Sequence, residues 1–161
     1  MNNSTETVLQ TPRLEKGRAL LVAGLAERFS SENASGIPAL WQRFGHHIGH
    51  VPGQVGNVTY GVCYDTDDTG DFNYAAGVEV LDFAELSADF ARVRIAEQRY
   101  AVFTHAEHIS TIRATYLAIF NTWLPKSGFQ MAGGPLFERY DKHFDPRTGA
   151  GGFEIWVPIS A

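Results

Sequence analysis

The sequence predicts an α+β domain built from a duplicated β-α-β-β unit, with one antiparallel sheet and both helices on one face of it. The order strand, helix, hairpin occurs once in residues 12–85 and again in residues 86–161. The tetrapeptides VCYD at 62–65 and ERYD at 138–141 are offset by 76 residues, and each follows its helix by a similar distance. Two such copies form one pseudo-symmetric domain. We expect a ligand groove on the pseudo-two-fold axis, between the two helices, because concave seams are common ligand sites.

The first repeat begins after a polar segment. Residues 1–11 are predicted to be a flexible tail, because Asn, Ser and Thr dominate them. Residues 18–29 are rich in apolar side chains without a helical stripe, which favours a strand. Residues 35–48 carry apolar side chains at helical spacing, so we predict the first helix there, with Ser35 as its N-cap.

Each predicted helix is followed by a predicted hairpin. The arms of the first hairpin are residues 58–65 and 72–80, and the turn-forming segment DTDDTGD separates them. The arms of the second are residues 135–141 and 152–159, and DPRTGAG joins them. The two hairpins therefore supply four antiparallel strands of the sheet.

The second repeat begins with a long extended segment. Residues 86–97 link the repeats and are predicted to end as a strand continuous with the next strand, 98–106. Residues 109–123 carry apolar side chains at helical spacing, and this second helix is predicted to stop before Pro125.

Composition excludes several classes of protein. The chain has 161 residues, 44% of them hydrophobic, a length and composition typical of one soluble domain with its own core. The net charge of -5 and the lack of a Lys and Arg cluster argue against nucleic-acid binding, and no apolar run is long enough to span a membrane. The single cysteine, Cys63, excludes an internal disulfide framework and is expected to be buried and inert. With a polar N-terminus, a cytoplasmic location is the expectation.

Common catalytic and metal-binding motifs are absent from the sequence. It contains no GxxxxGK[ST], GxGxxG, GxSxG or HEXXH motif. The six histidines include a cluster at 46–50 and the pair His105 and His108, but no cysteine cluster completes a zinc site. We therefore expect neither a metal nor a cofactor.

Glu154 is the most informative single residue, because it is a carboxylate inside the otherwise apolar segment FEIWVP. Strand alternation places Glu154 and Trp156 on one face and Phe153 and Ile155 on the other. One interpretation is a solvated strand face. The other is a carboxylate in an aromatic pocket, which would attract a cationic apolar ligand. Glu79 is its symmetry-related counterpart.

Aromatic residues are abundant, and most must form the core. Tyr60, Tyr74 and Trp41 are candidates for a pocket wall, because each lies in or just before the first hairpin and carries one hydrogen-bonding group. Position adds Phe120, Trp123 and Trp156 as further candidate ligand-binding residues.

Several segments also occur in an order that is typical of one family. They are residues 60–62, 74–80, 100–105, 123–128, 135–140 and 154–159. Together they resemble the gyrase-inhibitory-protein-like (GyrI-like) small-molecule-binding domain, which is also the effector-binding domain of AraC-type multidrug regulators. The resemblance covers roughly residues 12–160.

This resemblance implies an aromatic groove that binds bulky, often cationic, aromatic compounds. It implies that Glu154 is the principal acidic ligand contact, and it maps the family's hairpin tyrosine onto Tyr60 and its first-helix tryptophan onto Trp41. The leading hypothesis is thus a stand-alone module that binds hydrophobic, cationic, drug-like molecules, with a role in drug resistance or transcription regulation.

Two alternatives stay open at this point. One is a hydrolase that opens strained cyclopropanoid natural products, in which Glu154 orients or deprotonates a water. The other is a protein-interaction module that modulates gyrase or a transcription regulator. Direct nucleic-acid or membrane binding is not expected.

Overall fold

The computed structural model describes residues 9–30 and 32–161. Most of the predicted N-terminal tail, residues 1–8, lies outside the described residues. Leu9 is partly buried and packs against the core beneath the second helix. No helix in the described part of the chain is long and apolar enough to cross a membrane.

The elements occur in nearly the predicted order. The first repeat contains β1 (Arg13–Gly17), β2 (Leu20–Phe29), α1 (Ile37–Gly45), β3 (Gln54–Tyr64) and β4 (Phe72–Val80). The second contains β5 (Ala91–Ile95), β6 (Gln98–His105), α2 (Ile112–Ala118), α3 (Leu124–Ser127), β7 (Gln130–Met131), β8 (Leu136–Tyr140) and β9 (Phe153–Ser160).

The strands pair antiparallel in the order β1-β6-β9-β8-β3-β4-β2-β5, and short β7 pairs with β9 beside this path. Exchanging β1 with β5, β2 with β6, β3 with β8 and β4 with β9 reproduces the same order in reverse. The pseudo-two-fold axis therefore passes between β3 and β8, where Gly61 lies opposite Glu138. This symmetry confirms the predicted α+β fold with a duplicated unit; the exact repeat boundaries stay a prediction.

The first strands of the two repeats form one interrupted ladder. β1 pairs with β6 up to Gly17 opposite Gln98, and β2 pairs with β5 from Leu20 opposite Ile95. Two residues on each side separate the two parts of the ladder, so both parts have the same pairing register. Because β1 and β2 belong to opposite ends of the strand order, this ladder requires the sheet to curl back on itself. The predicted continuous strand is thus broken by the two residues 96 and 97.

The sheet buries apolar residues on both faces. α1 covers one half of the outer face, packing on β2 and β4, and α2 covers the other half, packing on β6, β8 and β9. Leu40 and Phe44 of α1 are fully buried, which contributes about 1.5–3 kcal/mol each. A third cluster, which includes Tyr60, Tyr100 and Phe137, fills the inside of the curl.

The helices differ from the prediction at their ends. Ser35 lies inside a 3₁₀ turn, residues 34–36, that precedes α1, and Gly36 rather than Ser35 occupies the N-cap without a side-chain hydrogen bond. After α2 a π-helical turn spans residues 119–123, and the helical path continues through Pro125 to Ser127. Pro125 occupies the first turn of α3, directly after the π-helical turn.

Candidate functional site

A buried carboxylate occupies the centre of the sheet on the face that the helices cover. Glu138 of β8 is only 5% exposed and accepts three hydrogen bonds from tyrosine hydroxyls. Tyr74 and Tyr140 both donate to its Oε1, at 2.7 Å each, and Tyr116 donates to Oε2 at 2.6 Å. We call Glu138 with these three tyrosines the tyrosine–glutamate cluster.

Both repeats contribute to this cluster, and α1 contacts it through Trp41. Tyr74 comes from β4, Tyr140 from β8 and Tyr116 from α2. On the α1 side, the Trp41 indole N–H donates to the Tyr74 hydroxyl at 3.0 Å, and the Trp41 ring packs edge-on against Tyr140 at 5.5 Å. Trp41 therefore fills the seam between the helices and extends the hydrogen-bond network to α1.

The absence of a side chain at Gly61 makes room for the cluster. Gly61 is paired with Glu138, and a Cβ atom at this position would lie 2.6 Å from Glu138 Oε1 and closer still to the Tyr74 hydroxyl. Real Cβ atoms do not approach polar atoms this closely. The glycine is thus required by close approach, not by its backbone conformation.

The charge of Glu138 is balanced by hydroxyl donors instead of a cation. Burial raises the pKa of its carboxyl, and the hydrogen bonds from Tyr116, Tyr140 and Tyr74 oppose that rise. Burial, together with the adjacent carboxylate, also raises the pKa values of the three tyrosines well above their usual range. In the described ranges, Glu138 forms no salt bridge with a lysine, arginine or histidine.

An open cleft of about 950 Å³ reaches this cluster from beside α2. Tyr116 and Phe120 line it, with their rings parallel at 6.4 Å, and Cys63 and Leu136 lie at its floor. Tyr116 both borders the cleft and donates to Glu138. A molecule in the cleft therefore lies one tyrosine away from the buried carboxylate.

Comparison with protein families assigns the whole domain to a family. Residues 10–160 match the model of the GyrI-like small molecule binding domain. The chain belongs to the GyrI-like family. It is thus a small-molecule-binding domain, as the order of its sequence segments indicates.

Individual relatives agree with this assignment. The GyrI-like domain is 31% identical over 152 residues to the transcriptional regulator BrlR of Pseudomonas aeruginosa; the match covers 91% of this chain and 54% of BrlR, so the chain spans about half of that regulator. It shares its fold with SAV2435 bound to tetraphenylphosphonium, with a TM-score of 0.77, 19% identity and coverage of 94% and 95%. A putative transcription regulation protein of Staphylococcus aureus MU50 has a TM-score of 0.73, 19% identity and coverage of 93% and 98%.

The structure separates the residues that the sequence suggested as one site. Trp41 and Tyr74 belong to the tyrosine–glutamate network, and Phe120 lines the cleft. Trp123 packs edge-on against Phe103 at 4.9 Å within the core beneath the helix. The other three candidates, Glu154, Tyr60 and Trp156, lie together on the opposite face of the sheet.

The position of Glu154 corrects the expectation that it faces a groove between the helices. The alternation predicted for β9 is present, but its apolar set, which includes Phe153 and Ile155, faces the helices. Glu154 faces the inside of the curl, where Arg13 lies 2.9 Å and Arg139 3.8 Å from it, and it accepts a hydrogen bond from Trp156 at 3.0 Å. Its charge is thus already paired.

The symmetry-related acid is paired as well. Glu79 accepts two hydrogen bonds from Arg18, at 2.6 and 2.8 Å. Neither Glu154 nor Glu79 is therefore free to act as the principal partner of a cation.

The sequence contains a signal for Glu138 in its strand alternation. In the segment LFERY, alternation places Leu136, Glu138 and Tyr140 on one strand face. Leu136 and Tyr140 flank the acid on that face, which indicates a largely apolar environment for Glu138. The three tyrosine partners come from distant segments, and only the fold brings them together.

The remaining candidate groups, His105 and Cys63, make contacts that belong to the fold. His105 is buried, and its ring nitrogens lie 2.7 Å from the Thr115 hydroxyl and 3.0 Å from the His108 carbonyl. Burial raises the pKa of the Cys63 thiol well above its usual value, as does the nearby Glu138. In residues 9–30 and 32–161, no group of three or more His, Cys, Asp and Glu side chains could hold a metal ion.

Proposed function

We propose that this GyrI-like domain binds bulky aromatic monocations at the tyrosine–glutamate cluster. The observation that carries the proposal is the buried Glu138 carboxylate, which has three hydroxyl donors and no salt bridge in the described part of the chain. A buried carboxylate without a counter-ion is costly, and a bound cation supplies the missing charge. The proposal moves the key acid from Glu154, which two arginines already pair, to Glu138.

The surroundings of Glu138 suit a cation that carries aromatic groups. Ring faces attract cations, and Tyr74, Tyr116, Tyr140 and Trp41 provide such faces around one carboxylate. Flat aromatic walls also accept ligands of different shapes, because stacking needs no fixed pattern of hydrogen bonds. Such walls support the binding of several drug-like cations. We therefore propose a role in multidrug recognition.

Entry from the cleft requires Tyr116 to move. Its ring separates the cleft from the carboxylate, and its hydroxyl holds Glu138 Oε2. A cation that replaces this hydroxyl exchanges one hydrogen bond for an ion pair in a site of low dielectric. Tyr116 is carried by α2, directly before the π-helical turn, where the helix geometry is already irregular.

The similarity to known proteins supports the same conclusion at a coarser level. One protein with this fold was solved bound to tetraphenylphosphonium, an aromatic monocation. The curated relative BrlR is a transcriptional regulator about twice as long as the matched region. We propose that the present domain serves as an effector-binding module for signals of this chemical kind.

Isothermal titration calorimetry with tetraphenylphosphonium tests the proposal. Glu138→Gln keeps the size of the side chain and is expected to weaken binding by roughly 30-fold, equivalent to about 2 kcal/mol. Glu154→Gln is the matched control and should bind like the original protein. Tetraphenylborate, an anion of the same shape, should not bind at this site.

Two outcomes would contradict the proposal. If Glu154→Gln loses binding while Glu138→Gln retains it, the site lies inside the curl of the sheet. If tetraphenylborate competes with tetraphenylphosphonium, shape alone governs binding and the carboxylate has no role.

A further inference from the structure

The inside of the curled sheet contains a second cleft, on the side opposite the tyrosine–glutamate cluster. Its volume is about 310 Å³. The two sites lie on opposite faces of the same strand, because Glu138 faces the helices while its neighbour Arg139 faces this cleft. The second cleft is therefore a separate site, and nothing in the proposed function uses it.

Charged side chains of both signs line this cleft. Three arginines, Arg13, Arg18 and Arg139, and two glutamates, Glu15 and Glu154, line it. Arg13 and Arg18 are engaged in close ion pairs with glutamates. Counting Glu79, the partner of Arg18, three arginines stand against three glutamates. Among these arginines, Arg139 has only longer carboxylate contacts within the described residues.

Arg139 is the arginine with unused hydrogen-bonding capacity. Within the described residues its nearest carboxylate contacts are 3.7 Å to Asp141 and 3.8 Å to Glu154, both longer than a hydrogen bond. It also lies near the Tyr60 hydroxyl, where it lowers the Tyr60 pKa against the larger, opposite effect of burial. A planar guanidinium with free donors binds a carboxylate through two parallel hydrogen bonds.

The floor of the cleft is aromatic and contains an unsatisfied donor. The rings of Phe137 and Trp156 are nearly parallel, with an interplanar angle of 16° and a centroid distance of 5.3 Å. Tyr100 packs edge-on against both at 5.4 Å, is 1% exposed, and its hydroxyl has no hydrogen-bond partner. A buried hydroxyl without a partner is rare and costs stability, so it indicates a ligand or a strained site.

We propose that this second cleft binds a planar aromatic carboxylate. The aromatic ring lies against Trp156 and Phe137, and the carboxylate accepts hydrogen bonds from Arg139. The Tyr100 hydroxyl is the additional donor at the floor. The domain then has two sites on opposite faces of one sheet, one for cations and one for anions.

The test uses 1-naphthoate, with the neutral 1-naphthamide and the cationic 1-naphthylmethylammonium as ligands of matched shape. Naphthoate should shift the indole N–H signal of Trp156 in ¹⁵N-resolved NMR spectra and leave that of Trp41 in place, with assignments from Trp156→Phe and Trp41→Phe. Arg139→Gln should weaken naphthoate binding roughly tenfold. Arg43→Gln is the control, because Arg43 lies on α1 and pairs with Glu27.

A second variant keeps the proposal testable if Arg139→Gln fails to fold. Tyr100→Phe removes the unsatisfied hydroxyl, so it should raise the melting temperature and weaken naphthoate binding about threefold, a combination that a structural role alone does not produce. Glu138→Gln should bind naphthoate normally, which separates this proposal from the cation site.

Two results would overturn the proposal. In the first, the Trp156 signal is unchanged at saturating naphthoate. In the second, naphthylmethylammonium binds as tightly as naphthoate.

Discussion

Gly61 lies directly opposite Glu138 across the β3–β8 ladder, and the space that a Cβ would fill is occupied by the Glu138 carboxylate and the Tyr74 hydroxyl. This contact is on the pseudo-two-fold axis of the domain. The two strands that meet there come from different repeats. The buried acid therefore depends on a residue that has no functional group of its own.

Gly61→Ala is expected to destabilise the protein by about 1–3 kcal/mol, because the added methyl group must displace a carboxylate oxygen or a hydroxyl in a packed interior. Thermal and urea denaturation measure the loss. Gly45→Ala at the end of α1 is the control, because nothing lies within 4 Å of its added Cβ. Equal stability of the two variants would mean that the cluster adapts without cost.

Glu138→Gln is expected to raise stability at neutral pH although it weakens cation binding. Burial raises the folded pKa of Glu138 above its unfolded value of about 4.3, so its contribution to stability is fully present at low pH and is lost as pH rises through the folded pKa. Glutamine does not ionise and escapes this loss. Melting temperatures of the two proteins should converge near about pH 4 and separate, with the variant higher, towards neutral pH.

A variant that melts below the original protein at neutral pH would contradict this prediction. In that case the three tyrosine hydrogen bonds stabilise the carboxylate more than burial destabilises it.

The affinity for an aromatic cation is expected to depend on pH through the same group. Only the ionised carboxylate attracts the cation, and the Glu138 pKa is raised by burial, so binding should weaken as pH falls towards that raised pKa. Calorimetry with tetraphenylphosphonium at a series of pH values measures this. Glu138→Gln supplies the control, since its residual binding should not follow the same curve. A flat profile for the original protein would exclude Glu138 as the partner of the cation.

Tyr74→Phe tests the link between α1 and the sheet. The Tyr74 hydroxyl donates to Glu138 and accepts from the Trp41 indole N–H, so its removal leaves one buried donor without a partner. We expect a loss of about 1–3 kcal/mol in the free energy of unfolding, measured by urea denaturation. Tyr64→Phe at the rim of the cleft should have little effect, because Tyr64 is only partly buried. If Tyr64→Phe lost as much stability as Tyr74→Phe, the effect would come from general packing and not from the lost hydrogen bonds.

The strands and helices were predictable because local patterns specify them. Strand-like runs separated by turn-forming segments identified both hairpins, and helical spacing identified both helices. The sequence did not reveal β1, because an edge strand such as Arg13–Gly17 carries charges and has no apolar alternation.

The choice of site residue failed for a different physical reason. If one face of the sheet were exposed to water, an acid on the buried face would stand out from its neighbours. This sheet curls and buries apolar residues on both faces. Alternation then places Glu138 and Glu154 on opposite faces of neighbouring strands without showing which face has a counter-ion. Arg13 and Arg139 settle that question, and their contacts with Glu154 exist only in the folded chain.

The interrupted ladder formed by β1–β2 and β5–β6 has a further consequence for the two halves of the chain. Each repeat presents its leading strands to the other repeat and has no internal partner for that edge. A polypeptide cut within the loop at 81–90 would therefore give two fragments, each carrying an open sheet edge that the opposite fragment closes. The domain is in this sense an intertwined dimer of half-domains joined by a peptide linker, and its halves are natural candidates for a split-protein reporter.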